Sequence, residues 1–171
     1  EGEFEFRFVV PRDIEFAFGS GRVSGYARSG EVDAHGYSEE FVIGGTAENP
    51  VQDDEGPVVE LFVNDTLFRA GDVVHEDPWL FARVFDESGI NTSGNGIGHD
   101  LKAVLDGDAS RPYVLNEYFT ADLDTYQRGS IRFPFQNLEE GPHELELKVW
   151  DVTNNSATAT THFVVASSEA V

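Results

Sequence analysis

The sequence predicts an all-β protein built around an immunoglobulin-like β-sandwich, and three observations lead there. Short apolar or alternating segments recur along the chain. Turn residues punctuate them at the spacing of a sandwich, and no stretch sustains a helical period. The first segment, EFEFRFVV at 3–10, alternates charged and apolar residues, as a half-buried strand does. Phe4, Phe6, Phe8 and Val10 are its expected inward face, and Pro11 ends it. A second strand is expected over 21–29, around Val23, Tyr26 and Ala27, and a third at FVIGG, 41–45.

Residues 47–57, AENPVQDDEGP, are polar and bracketed by Pro50 and Pro57, so they are the expected linker. Three strands rarely make a stable unit by themselves. Residues 1–46 are therefore expected to be terminal strands of a preceding β domain, or strands that pack on the next one. The sandwich itself is expected over 58–166. Its seven strands are VVELFV (58–63), WLFARVF (79–85), LKAVL (101–105), YVLNEYF (113–119), GSIRFPFQ (129–136), HELELKVW (143–150) and ATATTHFVV (157–165). Residues 66–77 have room for at most one helical turn. In the last hairpin Leu145, Leu147 and Val149 point inward, Asp151 to Asn155 make the turn, and Trp150 is available as a core aromatic.

The most distinctive stretch is 86–106, DESGINTSGNGIGHDLKAVLD. Gly89, Gly94, Gly96 and Gly98 alternate with Asn91, Ser93 and Asn95 between two strand patterns, which describes a long shaped loop. Ordering four glycines is entropically expensive, so a particular shape is implied. Ile90, Asn91, Ser93, Asn95 and His99 are the candidate contact residues, with Ile90 and Ile97 as anchors. A phosphate cradle would need a helix after the glycines, and LKAVL is a strand pattern instead. His99 and Asp100, with Ser93 nearby, do not compose a catalytic triad, because neighbours on a strand face opposite ways.

Composition bounds the function further. Apolar residues make up 40% of the 171, including 14 Phe, enough for a core rather than a disordered acidic tail. The net charge is -21, from 32 acidic and 11 basic residues, which excludes nucleic acid and anionic lipid as natural partners. The acids are spread along the chain, which suits a surface kept soluble in concentrated salt. The other use of so many acids is calcium. Its candidate ligands lie at Asp53, Asp54 and Glu55, at Asp86 with Glu87 and Asp100, at Asp106 and Asp108, and at Asp151 with Asn154 and Asn155. None completes an EF-hand, and Asp and Asn are favoured in turns in any case. No other cofactor is expected. There is no cysteine, hence no disulfide and no thiol nucleophile. No apolar run approaches the length of a membrane span, no signal peptide is visible, and the chain starts inside a strand pattern, like a piece of something longer.

The string at 86–106, with VLNEYF at 114–119, HELELKVWDVTNNS at 143–156, FRFVVPRDI at 6–14 and DAHGYSEEFVIGGT at 33–46, resembles the gingipain-like cysteine peptidases that serve as sortases of the type IX secretion system. The resemblance covers nearly the whole chain and points to the region after the catalytic domain. It implies an exported protein at the outer membrane or cell surface of a bacterium, with the catalytic Cys and His upstream. It also implies secretion-system components or client proteins as partners, and a parent that removes a C-terminal sorting signal and attaches the client. This chain is then a non-catalytic module. The alternative is a stand-alone secreted adhesion or carbohydrate-binding sandwich, with Trp79, Tyr113, Tyr118 and Tyr126 stacking on sugar rings.

Overall fold

The structure is a computed structural model. It describes the chain except for residues 1–4, 6–8, 13–16, 46–47, 51, 95–97 and 167–171. Two compact units emerge: Ile14–Pro50, and Val51–Val171 together with Glu1–Asp13. Composition had suggested a division at 47–57 with all of 1–46 on one side. Arg12 is bonded to the larger unit, where its N–H donates to Val152 O at 2.9 Å and its guanidinium to Thr153 O at 3.3 Å, in keeping with the expectation that strands of 1–46 pack on the next domain.

The smaller unit consists of two antiparallel pairs. β1 (Gly19–Ser20) pairs with β4 (Val42–Ile43), and β2 (Val23–Ser29) with β3 (Val32–Ser38). The β2–β3 turn is Gly30-Glu31, and Gly30 takes a positive φ of 62°, as a two-residue hairpin turn requires. β3 was not among the expected strands; all seven residues of VDAHGYS are exposed, so no buried face marks it. The expected strand at 41–45 shortens to two residues. Of the expected first strand, Phe4, Phe6 and Phe8 lie outside the described residues. Val10 is exposed rather than inward.

The larger unit is the sandwich. Its strands are β5 (Val58–Val63), β6 (Val73–Val74), β7 (Trp79–Phe85), β8 (Lys102–Leu105), β9 (Tyr113–Val114), β10 (Phe119–Ala121), β11 (Arg128–Pro134), β12 (Gly141–Trp150) and β13 (Ser156–Val165). One sheet has the order β10-β11-β7-β5. The other has the order β6-β13-β12-β8-β9. This is the strand distribution of the immunoglobulin fold, with β5, β7, β11 and β10 in the places of A, B, E and D and β8, β12 and β13 in those of C, F and G. Alternation builds the core between the sheets. Leu80, Ala82 and Val84 of β7 meet Ala103 of β8, Leu145, Leu147 and Val149 of β12, and Phe163 of β13, all essentially without solvent exposure.

Two segments depart from expectation. The 66–77 stretch contains β6, which runs parallel to β13 with Val73 opposite Val164 and Val74 opposite Val165. The chain thus crosses from one sheet to the other directly after β5. YVLNEYF is not one strand, because it also changes sheets. β9 pairs with β8, a 3₁₀ turn follows at Asn116–Tyr118, and β10 pairs with β11. Leu115 anchors the crossing. Its side chain is fully buried, and its N–H donates to Leu101 O at 2.7 Å.

At the far end of β8, Asp106 takes a positive φ of 53° and turns the chain. Its Oδ1 accepts from the Glu144 N–H at 2.9 Å, and its Oδ2 lies 2.8 Å from His143 Nδ1. His143 Nε2 lies 2.7 Å from Glu139 O, and the ring stacks on Phe163. Both ring nitrogens face acceptors, so only the protonated imidazole satisfies both. Burial pulls the His143 pKa down, but the bonds to Glu139 O and Asp106 and the charges of Asp106 and Glu139 outweigh it, and the net shift is upward. A raised folded-state value means stability that is complete below the ordinary value of about 6.5 and lost as pH rises through the folded value. Melting of the wild type should therefore fall more steeply than that of His143→Gln as pH rises above about 6.5. Parallel melting curves over that range would contradict the assignment.

Candidate functional site

Three segments meet at one end of the sandwich: the stretch leading into β5, the start of the β7–β8 loop, and the β12–β13 turn. Local chemistry shapes each of them. Asp86 ends β7, and its Oδ1 accepts from the N–H groups of Ser88 at 2.8 Å and Gly89 at 3.0 Å, curling the chain back. Gly89 has a φ of 111°, and a Cβ there would sit 2.6 Å from Tyr126, so only glycine fits. Ile90 then bridges Asp151, the Val152 N–H donates to Gly89 O, and the Asn91 N–H donates to Trp150 O. The loop is thereby stitched to the turn by its backbone.

Asp151 is completely buried. Its Oδ1 accepts from the N–H groups of Thr153 and Asn155, and its Oδ2 from Thr153 Oγ1 and Asn155 Nδ2, each at 2.8 Å. Asn155 Nδ2 also donates to Asp53 O at 2.9 Å, which draws in the third segment. The Asp53 carboxyl accepts from the Ser88 hydroxyl. Gly56 passes so close to β13 that a Cβ would meet Ser156 O at 2.6 Å.

Carboxyl oxygens of Asp53, Asp86 and Asp151 consequently lie within 4.8 Å of one another. Burial raises the Asp86 pKa, and the neighbouring Asp151 and Asp53 add to the rise against the two N–H bonds. The Ser88 hydroxyl, followed by the Glu55 N–H, lowers that of Asp53. Crowded acids of this kind can share a proton or hold a hard cation. Of the expected calcium ligands, the structure brings together Asp86, Asp151 and Asp53. Asp106 is engaged by His143 and Glu144. Asp108 accepts from Ser110 and pairs with Arg111 at 2.9 Å, and Asp100 lies near Gly94.

The expected contact residues divide. Ile90 and Asn91 are buried, at 6% and 1% exposure, and offer no surface. Asn91 Oδ1 accepts from Ser93 N and Ser93 Oγ, so it shapes the loop from inside. Ser93 is exposed, and Asn95 and Ile97 lie outside the described residues. His99 packs edge-on against Trp150 at 4.4 Å, with Lys148 Nζ 4.4 Å from the Trp150 ring centroid. Trp150 is thus half-buried at the sandwich end and not a core aromatic. Among the proposed sugar-stacking residues, Tyr113 and Tyr118 pack on Phe133, and Tyr126 backs onto Gly89. Trp79 lines a shallow cavity of about 250 Å³ with Asp77, Gln136 and Asn137. Sequence reasoning missed how Asp53 joins Asp86 and Asp151, since 33 residues separate it from the nearer of them. Among the described residues no helix is long and apolar enough to cross a membrane.

No protein-family model and no curated protein gives a match. Among solved structures, the crystal structure of dimeric latent PorU from Porphyromonas gingivalis matches with 36% identity and a TM-score of 0.66, over 94% of this chain. The chain is a PorU-like region. It spans 15% of the length of that PorU chain. The endo-beta-1,4-mannanase from Thermotoga petrophila shows a distant likeness, with 15% identity, a TM-score of 0.40, and coverage of 63% of this chain and 20% of its own. The PorU likeness covers both the sandwich and most of the smaller unit, so the two occur together in that relative.

Asp86 provides the test of the acid cluster. A raised folded-state pKa contributes stability at low pH that is lost as pH rises, so at neutral pH its charged form opposes folding. Asp86→Asn keeps an acceptor for Ser88 and Gly89 and removes a charge. In chelator at pH 7 it should melt about 2–4 °C higher than wild type, with the gain fading as pH falls towards 4. A lower melting temperature in chelator would contradict this. Calcium at matched ionic strength separates the two uses of the cluster, because a bound ion would raise wild-type melting and leave Asp86→Asn unchanged.

Proposed function

We propose that this chain is a non-catalytic β-sandwich module of a type IX secretion sortase-like cysteine peptidase. Exported to the outer membrane or cell surface, it positions the enzyme or contacts secretion partners or client proteins. The observation that carries this reading is the 36% identity to PorU over 94% of the chain. Chemistry supports it. The chain contains no cysteine to act as nucleophile. Its best-formed polar cluster is spent on holding a sandwich end together, with Asp151 saturated by four donors from its own turn.

The purified chain should not turn over peptides that carry a C-terminal sorting signal. In the parent, excising the span of this chain should leave small-peptide hydrolysis by the upstream active site and stop surface attachment of clients. Turnover by the chain that survives repurification, or normal client attachment after the excision, would contradict the reading.

A further inference from the structure

The outward face of the β5-β7-β11 sheet differs in chemistry from the rest of the molecule. Leu80, Ala82 and Val84 point to the core, so Trp79, Phe81, Arg83 and Phe85 point away from it. The pairing places Val58, Glu60 and Phe62 of β5 beside this row on one side, and Arg128, Ser130 and Arg132 of β11 on the other. Three of the chain's 11 basic residues therefore share one face, against Glu60 as the single acid of those strand positions. Arg128 is paired with Asp122 at 3.0 Å. Arg83 and Arg132 have no carboxylate within salt-bridge distance among the described residues. Both lie over the Phe81 ring, with Cζ 6.0 Å and 4.6 Å from its centroid. Phe81 beneath them, which also stacks on Phe62, is 6% exposed, while Val58, Trp79 and Phe85 remain open at 61%, 46% and 42%.

We infer that this face docks an acidic polypeptide segment, one that alternates carboxylate with aromatic or other apolar side chains. Guanidinium groups placed over an aromatic ring and without a carboxylate partner keep donors free for bidentate bonds to carboxylate. Arginine beside exposed aromatics is also the composition of an interface centre. Charge selects a narrow occupant. A broad anionic surface would meet the field of a chain of net charge -21, whereas a single extended segment meets only the arginine rows. The inference rests on the module being a contact-making part, and it names where the contact lies and with what chemistry.

The 171-residue chain is titrated with a synthetic peptide alternating Asp and Phe, with its Lys-for-Asp counterpart, and with phosphatidylglycerol vesicles. The Asp-Phe peptide should bind, and bind less tightly as salt rises. Arg83→Gln combined with Arg132→Gln should weaken it roughly tenfold or more without lowering the melting temperature. Arg69→Gln combined with Arg111→Gln removes the same charge elsewhere and should leave affinity unchanged. Equal weakening by both pairs, equal binding of the Lys peptide, or vesicle binding with the same arginine dependence would overturn the inference. The Arg83/Arg132 pair in the parent separates the two levels. Normal client attachment beside weakened peptide binding would overturn the contact-module reading while leaving the chemistry of the face intact.

Discussion

The buried carboxyl group of Asp151 is the point on which one end of this sandwich depends. It satisfies four donors of the β12–β13 turn, two from backbone and two from side chains. The first three residues of this turn are buried, and without the carboxyl the Thr153 and Asn155 N–H groups and the Thr153 hydroxyl would lose their acceptor, each at a penalty of about 1–3 kcal/mol. Once the turn is set, its outer backbone becomes a template. Val152 reaches Gly89, Trp150 receives Asn91, and Arg12 reaches Val152 and Thr153. Segments distant in sequence are thereby fastened to a hairpin formed from neighbours. The local element is formed at low entropic cost and then organises the non-local ones.

The same arrangement explains why acids gather there. Asp86 and Asp53 each shape their own segment, one curling Ser88 and Gly89, the other holding Glu55, and Asp53 also reaches across to the Ser88 hydroxyl. Fastening both segments to the Asp151 turn brings their carboxyls together. Proximity of the three is a consequence of three separate turn solutions. The opposite shifts of Asp86 and Asp53 record the difference in environment, one buried beside like charges and one capped by a hydroxyl.

Much of the fold was legible. β5 and β7 follow their apolar patterns residue for residue, and β11, β12 and β13 to within two, because alternation over a half-buried strand is a strong local signal. What escaped was set by distant partners. β6 is two valines whose partner is the end of β13, and the break in YVLNEYF arises because Leu115 must reach the core at a sheet crossing. β3 is held by its turn and by β2, with no buried face to mark it in sequence. At the site, Asp86 and Asp151 were legible as turn acids, and Asp53 joins them only through the packing of the segment before β5. Asn91 looked like a contact residue because asparagine is usually exposed in loops. Its side chain is instead turned inward to hold Ser93.

The central claim is that Asp151 holds the sandwich end together, and equilibrium urea unfolding of Asp151→Ala tests it most directly. Removing the acceptor strands the Thr153 and Asn155 N–H groups and the Thr153 hydroxyl, while Asn155 Nδ2 keeps Asp53 O, so the account predicts a loss of at least about 3 kcal/mol. The slope of the transition should be unchanged, as expected when the native core persists. A loss below about 1 kcal/mol would contradict the account, since the turn and everything fastened to it would then stand without that carboxyl.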